Sequence, residues 1–273
     1  MKPLKEKYKQ LEDEGKALLA VNFYNFETLA GTLQATKERN SSIILQATSS
    51  SINYMGLPVT VGLAKYAREQ FGVEAWLHLD HANDIELIKR CLDAGFDSVM
   101  IDASEEPYER NIELSQKVVS LAEPYGANVE AELGYVAKLG QNYDKVQFTQ
   151  PDEARAFVNE TGVNALAVAI GSAHGFYKEE PKLDLELLAA IHEVTPAALV
   201  LHGGSGIPAD QLKGGIERGI RKINVATEVK NTFMQTLKED LKTTDEIDLR
   251  KVFPSAINEV KKLIEGKLDI INS

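Results

Sequence analysis

The sequence is poor in cysteine. Cys91 is the only one among 273 residues, so no intramolecular disulfide can form and a reducing compartment is expected. It falls in the helical pattern Ile85 to Ala94, where a small buried hydrophobe is the expected role. No apolar run approaches the roughly 18 residues of a membrane span, and Met1 to Lys16 is charged throughout, without the apolar stretch of a leader. These absences make a cytoplasmic protein the expectation. Positive charge is scarce as well: 30 Lys plus Arg stand against 41 Asp plus Glu, giving a net charge of −11. That field repels nucleic acid and anionic membranes on average. An anionic ligand would have to be held locally, by backbone N–H groups and a few basic side chains. Linkers, low-complexity segments and short-period repeats are also missing, which leaves one domain over residues 1–273 as the expectation.

Hydrophobic residues at 44% and charged residues at 26% are enough to build and solubilise a substantial core. Short β-branched apolar segments alternate with longer helical patterns, the signature of βα units around a parallel sheet. Eight strands are predicted: Ala17 to Phe23, Ser42 to Ala47, Ala75 to Leu79, Ser98 to Ile101, Asn128 to Leu133, Ala165 to Ile170, Ala198 to Leu201 and Lys222 to Val225. Between them lie amphipathic segments such as Asp84 to Ala94, opened by Asn83 with Glu86 three residues on, and Pro151 to Glu160, with proline at its first position. A charged helix, Pro3 to Glu14, precedes the first strand, and another, Ser255 to Gly266, follows the last. The expected fold is α/β, a single (β/α)8 barrel of the TIM type with an extra N-terminal helix and a C-terminal helical extension. Such barrels typically run to about 250 residues.

If the strands close in order, their C-terminal ends share one rim, where barrel enzymes carry their chemistry. Polar residues gather there: Asp80 and His81 after the third strand, Asp102 and Ser104 after the fourth, and Glu132 near the end of the fifth. His174 follows the sixth strand, His202 closes the seventh and Asn224 lies in the eighth. Three of five histidines thus fall at strand ends far apart in sequence. Three neutral imidazoles with an open position suit a catalytic zinc, which can polarise a ketone and stabilise an enediolate. His78 and His192 are read as structural. The same rim carries Gly171 to Gly175, Gly203 to Gly206 and Asn224 to Thr227, where glycines let backbone N–H groups approach an anion. Phosphate sites after the seventh and eighth strands are common in barrels, so a sugar phosphate is the expected ligand.

The segments Leu77-His-Leu-Asp-His-Ala82, Val129-Glu-Ala-Glu-Leu-Gly134, Ala167-Val-Ala-Ile-Gly-Ser-Ala-His-Gly175, Leu201-His-Gly-Gly-Ser-Gly-Ile-Pro208 and Ile223-Asn-Val-Ala-Thr-Glu228 together resemble the class II fructose/tagatose-bisphosphate aldolases. Five motifs in family order, spread over about residues 5 to 240, make the match specific. The resemblance implies that His81, His174 and His202 bind zinc, with Asp102 and Glu132 nearby as alternative or supporting carboxylates. It implies that Asp80 is the acid/base, and that Gly175, Gly203, Ser205, Asn224 and Thr227 hold the dihydroxyacetone phosphate half, with Asn22 and Thr48 as further contacts. A monovalent cation, Na+ or K+, near the phosphate loops and a homodimer or homotetramer are also implied.

Two departures stand out. The stretch Tyr135 to Asp144 lacks the family's usual Gly-Gly segment and acidic pair, so the loop glutamate has no clear counterpart. Asp144, the first carboxylate after Glu132, becomes the candidate second acid/base, because Gly134 and Gly140 would permit hinge-like closure. In the last motif Ala226 stands where many fructose-type members carry an acidic or amide residue, a lean toward a tagatose-type sugar. The expected reaction is retro-aldol cleavage of a ketose 1,6-bisphosphate to dihydroxyacetone phosphate and an aldehyde such as glyceraldehyde 3-phosphate. The alternatives are another ketose phosphate, or a non-catalytic sugar-phosphate-binding barrel or helper subunit. A Schiff-base aldolase needs a lysine inside the barrel, and neither Lys178, beyond a strand end, nor Lys222, read as opening the eighth strand, is expected there.

Overall fold

Strand segments that read as near-continuous apolar runs must be covered on both faces, which a parallel barrel wrapped by helices achieves. A computed structural model of the chain has that form; it describes residues 2–134, 136–138, 148–177 and 179–273. The strands are β1 (Leu18–Asn22), β2 (Ile43–Thr48), β3 (Ala75–Ala82), β4 (Ser98–Ile101), β5 (Asn128–Leu133), β6 (Ala137–Lys138), β7 (Ala165–Val168), β8 (Ala173–His174), β9 (Ala198–Leu201) and β10 (Ile220–Val225). Eight of them close a parallel barrel in the order β1-β2-β3-β4-β5-β7-β9-β10, with β10 pairing back onto β1 through Leu18↔Lys222 and Ala20↔Asn224. The short strands β6 and β8 pair with each other beyond the rim. The predicted (β/α)8 architecture is therefore the observed one.

Side-chain alternation sorts the core into two parts. Outward residues such as Leu19, Val21, Leu45 and Leu77 pack against the surrounding helices. Leu18, Ala20, Ile44, Trp76, Ala165, Ala167 and Val200 form a separate interior cluster with Leu4, Tyr8 and Leu11 of the N-terminal helix (Leu4–Glu14). That helix plugs the lower mouth of the barrel. The buried Trp76 indole N–H donates to the Lys2 carbonyl at 2.9 Å, so the largest interior ring is also polar-satisfied. Replacing such a residue by alanine costs about 3–5 kcal/mol.

Strand and helix ends shift by a few residues from the sequence reading, and three of the shifts bear on the core or the site. Strand β10 begins at Ile220, so Lys222 is its third residue, with its side chain fully buried inside the barrel. The helix after β3 spans Ile85–Asp93 and is capped by Asp84, whose carboxylate accepts from the Glu86 N–H at 2.9 Å; Asn83 is not the cap. The C-terminal helix, expected over Ser255 to Gly266, runs over Leu249–Ile271 and passes through Pro254. One lost backbone bond is outweighed there by the buried stripe Val252, Ala256, Val260, Ile264 and Leu268. That helix lies so close to Gly31 that a Cβ on Gly31 would stand 2.6 Å from the Ile257 carbonyl oxygen. Among the described residues no helix is long and apolar enough to cross a membrane.

Candidate metal and substrate site

Above the apolar plug the barrel interior turns polar. Neighbouring residues on a regular strand point to opposite faces, yet Asp80 and His81 both reach the rim site. The cause lies at the end of β3, where pairing with β4 shifts register between Leu79 and Ala82 and His81 takes a φ of 49°. A left-handed backbone costs a non-glycine residue about 1–2 kcal/mol and persists only where the surroundings over-determine it. Here His81 Nδ1 lies 2.7 Å from Asp102 Oδ2, and Asp102 Oδ1 accepts from the Ser104 hydroxyl at 2.8 Å. The strained histidine is thus aimed by a braced carboxylate.

His174 comes from β8 and His202 directly follows β9. The imidazole centroids lie 4.9 Å (His81–His174), 4.7 Å (His81–His202) and 5.7 Å (His174–His202) apart. One ligand atom from each of His81, Glu132, His174 and His202 falls within 4.8 Å of all the others. Three of the atoms converging there, His81 Nε2, His202 Nδ1 and Glu132 Oε2, are buried without a hydrogen-bond partner. His202 Nδ1 and Glu132 Oε2 are only 3.0 Å apart, yet they are misaligned for a hydrogen bond. Buried unsatisfied polar atoms cost about 1–3 kcal/mol each, and a cation held among them would satisfy all three. Imidazole nitrogens with a carboxylate oxygen suit zinc or another divalent transition metal. Asp102 stays outside this set, supporting His81.

Electrostatics prepare the group for different tasks. Burial, followed by the charges of His202 and His81, lowers the His174 pKa to about 4, so its imidazole is neutral. Burial also opposes charge on His202, but Glu130 and Glu132 beside it win and raise it to about 10. A metal would displace that proton. Asp80 is 5% exposed. Burial pushes its carboxyl upward, but His81 and Lys222 outweigh burial and hold it below the ordinary carboxylate value. It accepts from Asn22 Nδ2 at 2.8 Å and lies 3.5 Å from Asn224 Nδ2, while Gln46 donates to Asn22 Oδ1 at 3.0 Å.

Gly175, Gly203, Ser205, Asn224 and Thr227 line one small cavity together with Asn22, Asp80, His81 and His174. Ser205 Oγ accepts from the Ala226 and Glu228 N–H groups at 3.4 and 3.3 Å, at the N-terminus of the helix Thr227–Asp240. Thr48 lies elsewhere: it caps the helix Ser49–Met55, accepting from the Ser51 N–H at 3.2 Å, and does not line that cavity. A cleft of about 790 Å³ opens beside the histidines, bordered by Ser49, Asn83, Asp102 and Glu106. Asp144 lies outside the described residues. His78 is buried against Ser98, and His192 pairs with Glu12 at 3.1 Å.

Sequence reasoning missed three contributors. Tyr177 OH accepts from the Ala173 N–H at 2.9 Å and donates to the Gly203 carbonyl at 2.8 Å, clamping the segments that carry His174 and His202. Glu130 and Lys222 meet inside the barrel at 2.6 Å. For Glu130 the only sequence signal was its spacing of two from Glu132 on one strand face. Lys222 is an interior lysine after all, but it engages Glu130 and His78 and lines neither rim cavity.

Fold and site together define a (β/α)8 barrel with a metal-ligand cluster built into its C-terminal rim. The chain belongs to the family described as fructose-bisphosphate aldolase class-II, whose profile matches residues 2–273. A fructose-bisphosphate aldolase of Helicobacter pylori strain J99 is 36% identical over 289 residues, covering 95% of this chain and 94% of that protein. Among solved structures, the YdjI aldolase of Escherichia coli K12 superposes with a TM-score of 0.88 at 30% identity, covering 99% of this chain and 97% of that one. A putative fructose-1,6-biphosphate aldolase of Coccidioides immitis does so with 0.89 at 29% identity, covering 99% and 96%. The family is one of metal-dependent aldolases, and the His/Glu cluster has the ligand atoms that could hold such a metal.

Proposed function

We propose that this protein is a zinc-dependent aldolase that reversibly cleaves a ketose 1,6-bisphosphate, of tagatose or fructose type, to dihydroxyacetone phosphate and glyceraldehyde 3-phosphate. The observation that carries the reading is the convergence of the His81, His174 and His202 rings beside the Asp80 carboxylate on one barrel rim. Zinc on the three imidazoles, with Glu132 as a fourth ligand, would supply the Lewis acidity that polarises the ketone and stabilises the enediolate. Asp80, steadied by Asn22 and Asn224, takes the C4 hydroxyl proton as the C3–C4 bond breaks. The electron pair of that bond passes to the ketone half, and the aldehyde leaves. Gly175, Gly203, Ser205, Asn224 and Thr227 hold the phosphate of that half through backbone N–H groups and the helix N-terminus at Thr227. Asn22 adds a contact within the cavity, Thr48 would add one from outside it, beside Asp80 on the neighbouring strand, and Na+ or K+ would be held near the phosphate loops. Asp144 exchanges the proton on the nucleophilic carbon of dihydroxyacetone phosphate. The small Ala226, which also lines the cavity, favours a tagatose-type sugar. The chain works as one domain within a cytoplasmic homodimer or homotetramer.

The test supplies purified, zinc-loaded protein with tagatose 1,6-bisphosphate and fructose 1,6-bisphosphate separately and follows triose phosphate release. Cleavage is expected with at least one of them, and faster with the tagatose isomer. Absence of triose phosphate from both would defeat the reading in favour of another ketose phosphate or a binding barrel without catalysis.

A further inference from the structure

Beneath the rim lies a polar layer that the proposed reaction, apart from His202 at its upper edge, does not use. Glu130, Lys222, His78, Ser98 and His202 have no exposed surface, and Asn128 has 1%. Their contacts form a chain: Asn128 Nδ2 donates to Ser98 Oγ at 3.2 Å, and His78 Nδ1 lies 2.7 Å from that same oxygen. Lys222 Nζ lies 3.2 Å from His78 Nε2 and 2.6 Å from Glu130 Oε2, while Glu130 Oε1 lies 3.0 Å from His202 Nε2. A buried ion pair can cost as much in desolvation as it returns in attraction, so its presence in a barrel interior calls for a role beyond stability.

We infer that Glu130 and Lys222 are positioning residues that set which proton His202 gives up to a metal, keeping Nε2–H on Glu130 and freeing Nδ1 for the metal position. The logic starts at Lys222, which can only donate. Its ammonium must find acceptors, so it takes Oε2 of Glu130 and the bare Nε2 of His78. Glu130, an acceptor at both oxygens, then requires a proton on His202 Nε2. The other ring nitrogen, Nδ1, is the buried atom without a hydrogen-bond partner that faces Glu132 and the other two histidines. A ligating histidine is commonly oriented by such a partner on its far nitrogen. Here the partner is itself locked by a cation. The inference rests on the metal reading proposed above.

Glu130→Gln tests it because an amide has one acceptor and one donor end. Lys222 claims the amide oxygen, the NH2 turns to His202 Nε2, and the His202 proton moves to Nδ1, where it blocks the metal. Binding of Co2+, followed by its visible absorption, should weaken by about 10- to 100-fold, the range for loss of an orienting partner. In Glu130→Gln/Lys222→Met the oxygen is released from the lysine, can turn to His202, and should restore most of the lost affinity. A merely structural role predicts the opposite, since the double variant disturbs the core further. Wild-type Co2+ affinity in Glu130→Gln, or a double variant binding no better than the single, would overturn the inference. If wild type itself bound no Co2+, the metal reading would fall with it; normal binding unaffected by Glu130→Gln removes this inference alone. Should the variants not fold, 15N–1H correlations of the histidine rings in zinc-loaded wild type decide. A His202 proton on Nε2 is expected, and one on Nδ1 overturns the proposal.

Discussion

Replacing Gly203 by alanine should damage metal binding more than its size suggests. A Cβ built on Gly203 stands 2.2 Å from the carbonyl oxygen of Ala173 and 2.7 Å from its carbonyl carbon. Ordinary contact lies more than about 3 Å away, so the two backbones must part by about 1 Å. Relief is hard to find, because Tyr177 holds both segments through the Ala173 N–H and the Gly203 carbonyl. Gly203 directly follows His202 and Ala173 directly precedes His174, so the parting is transmitted to two of the proposed ligands. Metal–ligand distances tolerate only about 0.2 Å, and a loss of Co2+ affinity on the order of 100-fold is expected. The φ of 69° at Gly203 adds left-handed strain. Strain and overpacking together should cost about 3 kcal/mol, which lowers Tm by about 5–10 °C in a chain of this size. The assay pairs thermal unfolding of the metal-free protein with Co2+ titration, and Gly206→Ala is the control. Its φ is 81°, but its nearest neighbour, Tyr177 Cδ2, is 3.4 Å away, so it should lose stability while keeping metal affinity. Wild-type Co2+ affinity in Gly203→Ala would refute the reasoning.

Asp80→Ala should reduce turnover by roughly 10² to 10⁴ while sparing zinc content by metal analysis; a drop of less than about tenfold would remove Asp80 from proton transfer. Since the folded, metal-free protein holds His202 near 10, metal binding below that pH must expel its proton. Apparent Co2+ affinity should therefore climb about tenfold per pH unit between pH 7 and 9 and level off above about 10; a flat profile contradicts the assignment of His202 as a ligand. For Asp144, the measurement is loss of deuterium from labelled dihydroxyacetone phosphate without aldehyde. Asp144→Asn should abolish it, and unchanged exchange assigns that proton to another group.

Much of this architecture was legible in the sequence because buried parallel strands advertise themselves. Val99 to Ile101 or Ala165 to Val168 cannot be half-exposed, and the βα rhythm around them forces closure in order. The three site histidines were legible for the same reason: each stands at a strand end, so topology alone gathers them. What escaped depends on through-space pairing. Lys222 looked like a strand opener because a lysine inside a barrel makes sense only once Glu130, 92 residues away, is seen opposite it. The left-handed turn at His81 carries no glycine to announce it, being enforced by Asp102 from the next strand. Helix length at the C-terminus was hidden by Pro254, a breaker overruled by tertiary packing.

The most direct test of the metal-dependent aldolase reading is one chelation experiment on the purified protein. Turnover of the proposed ketose bisphosphate substrate is measured as isolated, after removal of metal by a chelator, and after return of one equivalent of zinc, in wild type and in His174→Ala. The account predicts that activity disappears on chelation, returns with zinc in wild type, and returns in neither form nor extent in His174→Ala. Full turnover surviving chelation, with substrate trapped on the protein by borohydride, would contradict it and place the chemistry on a lysine.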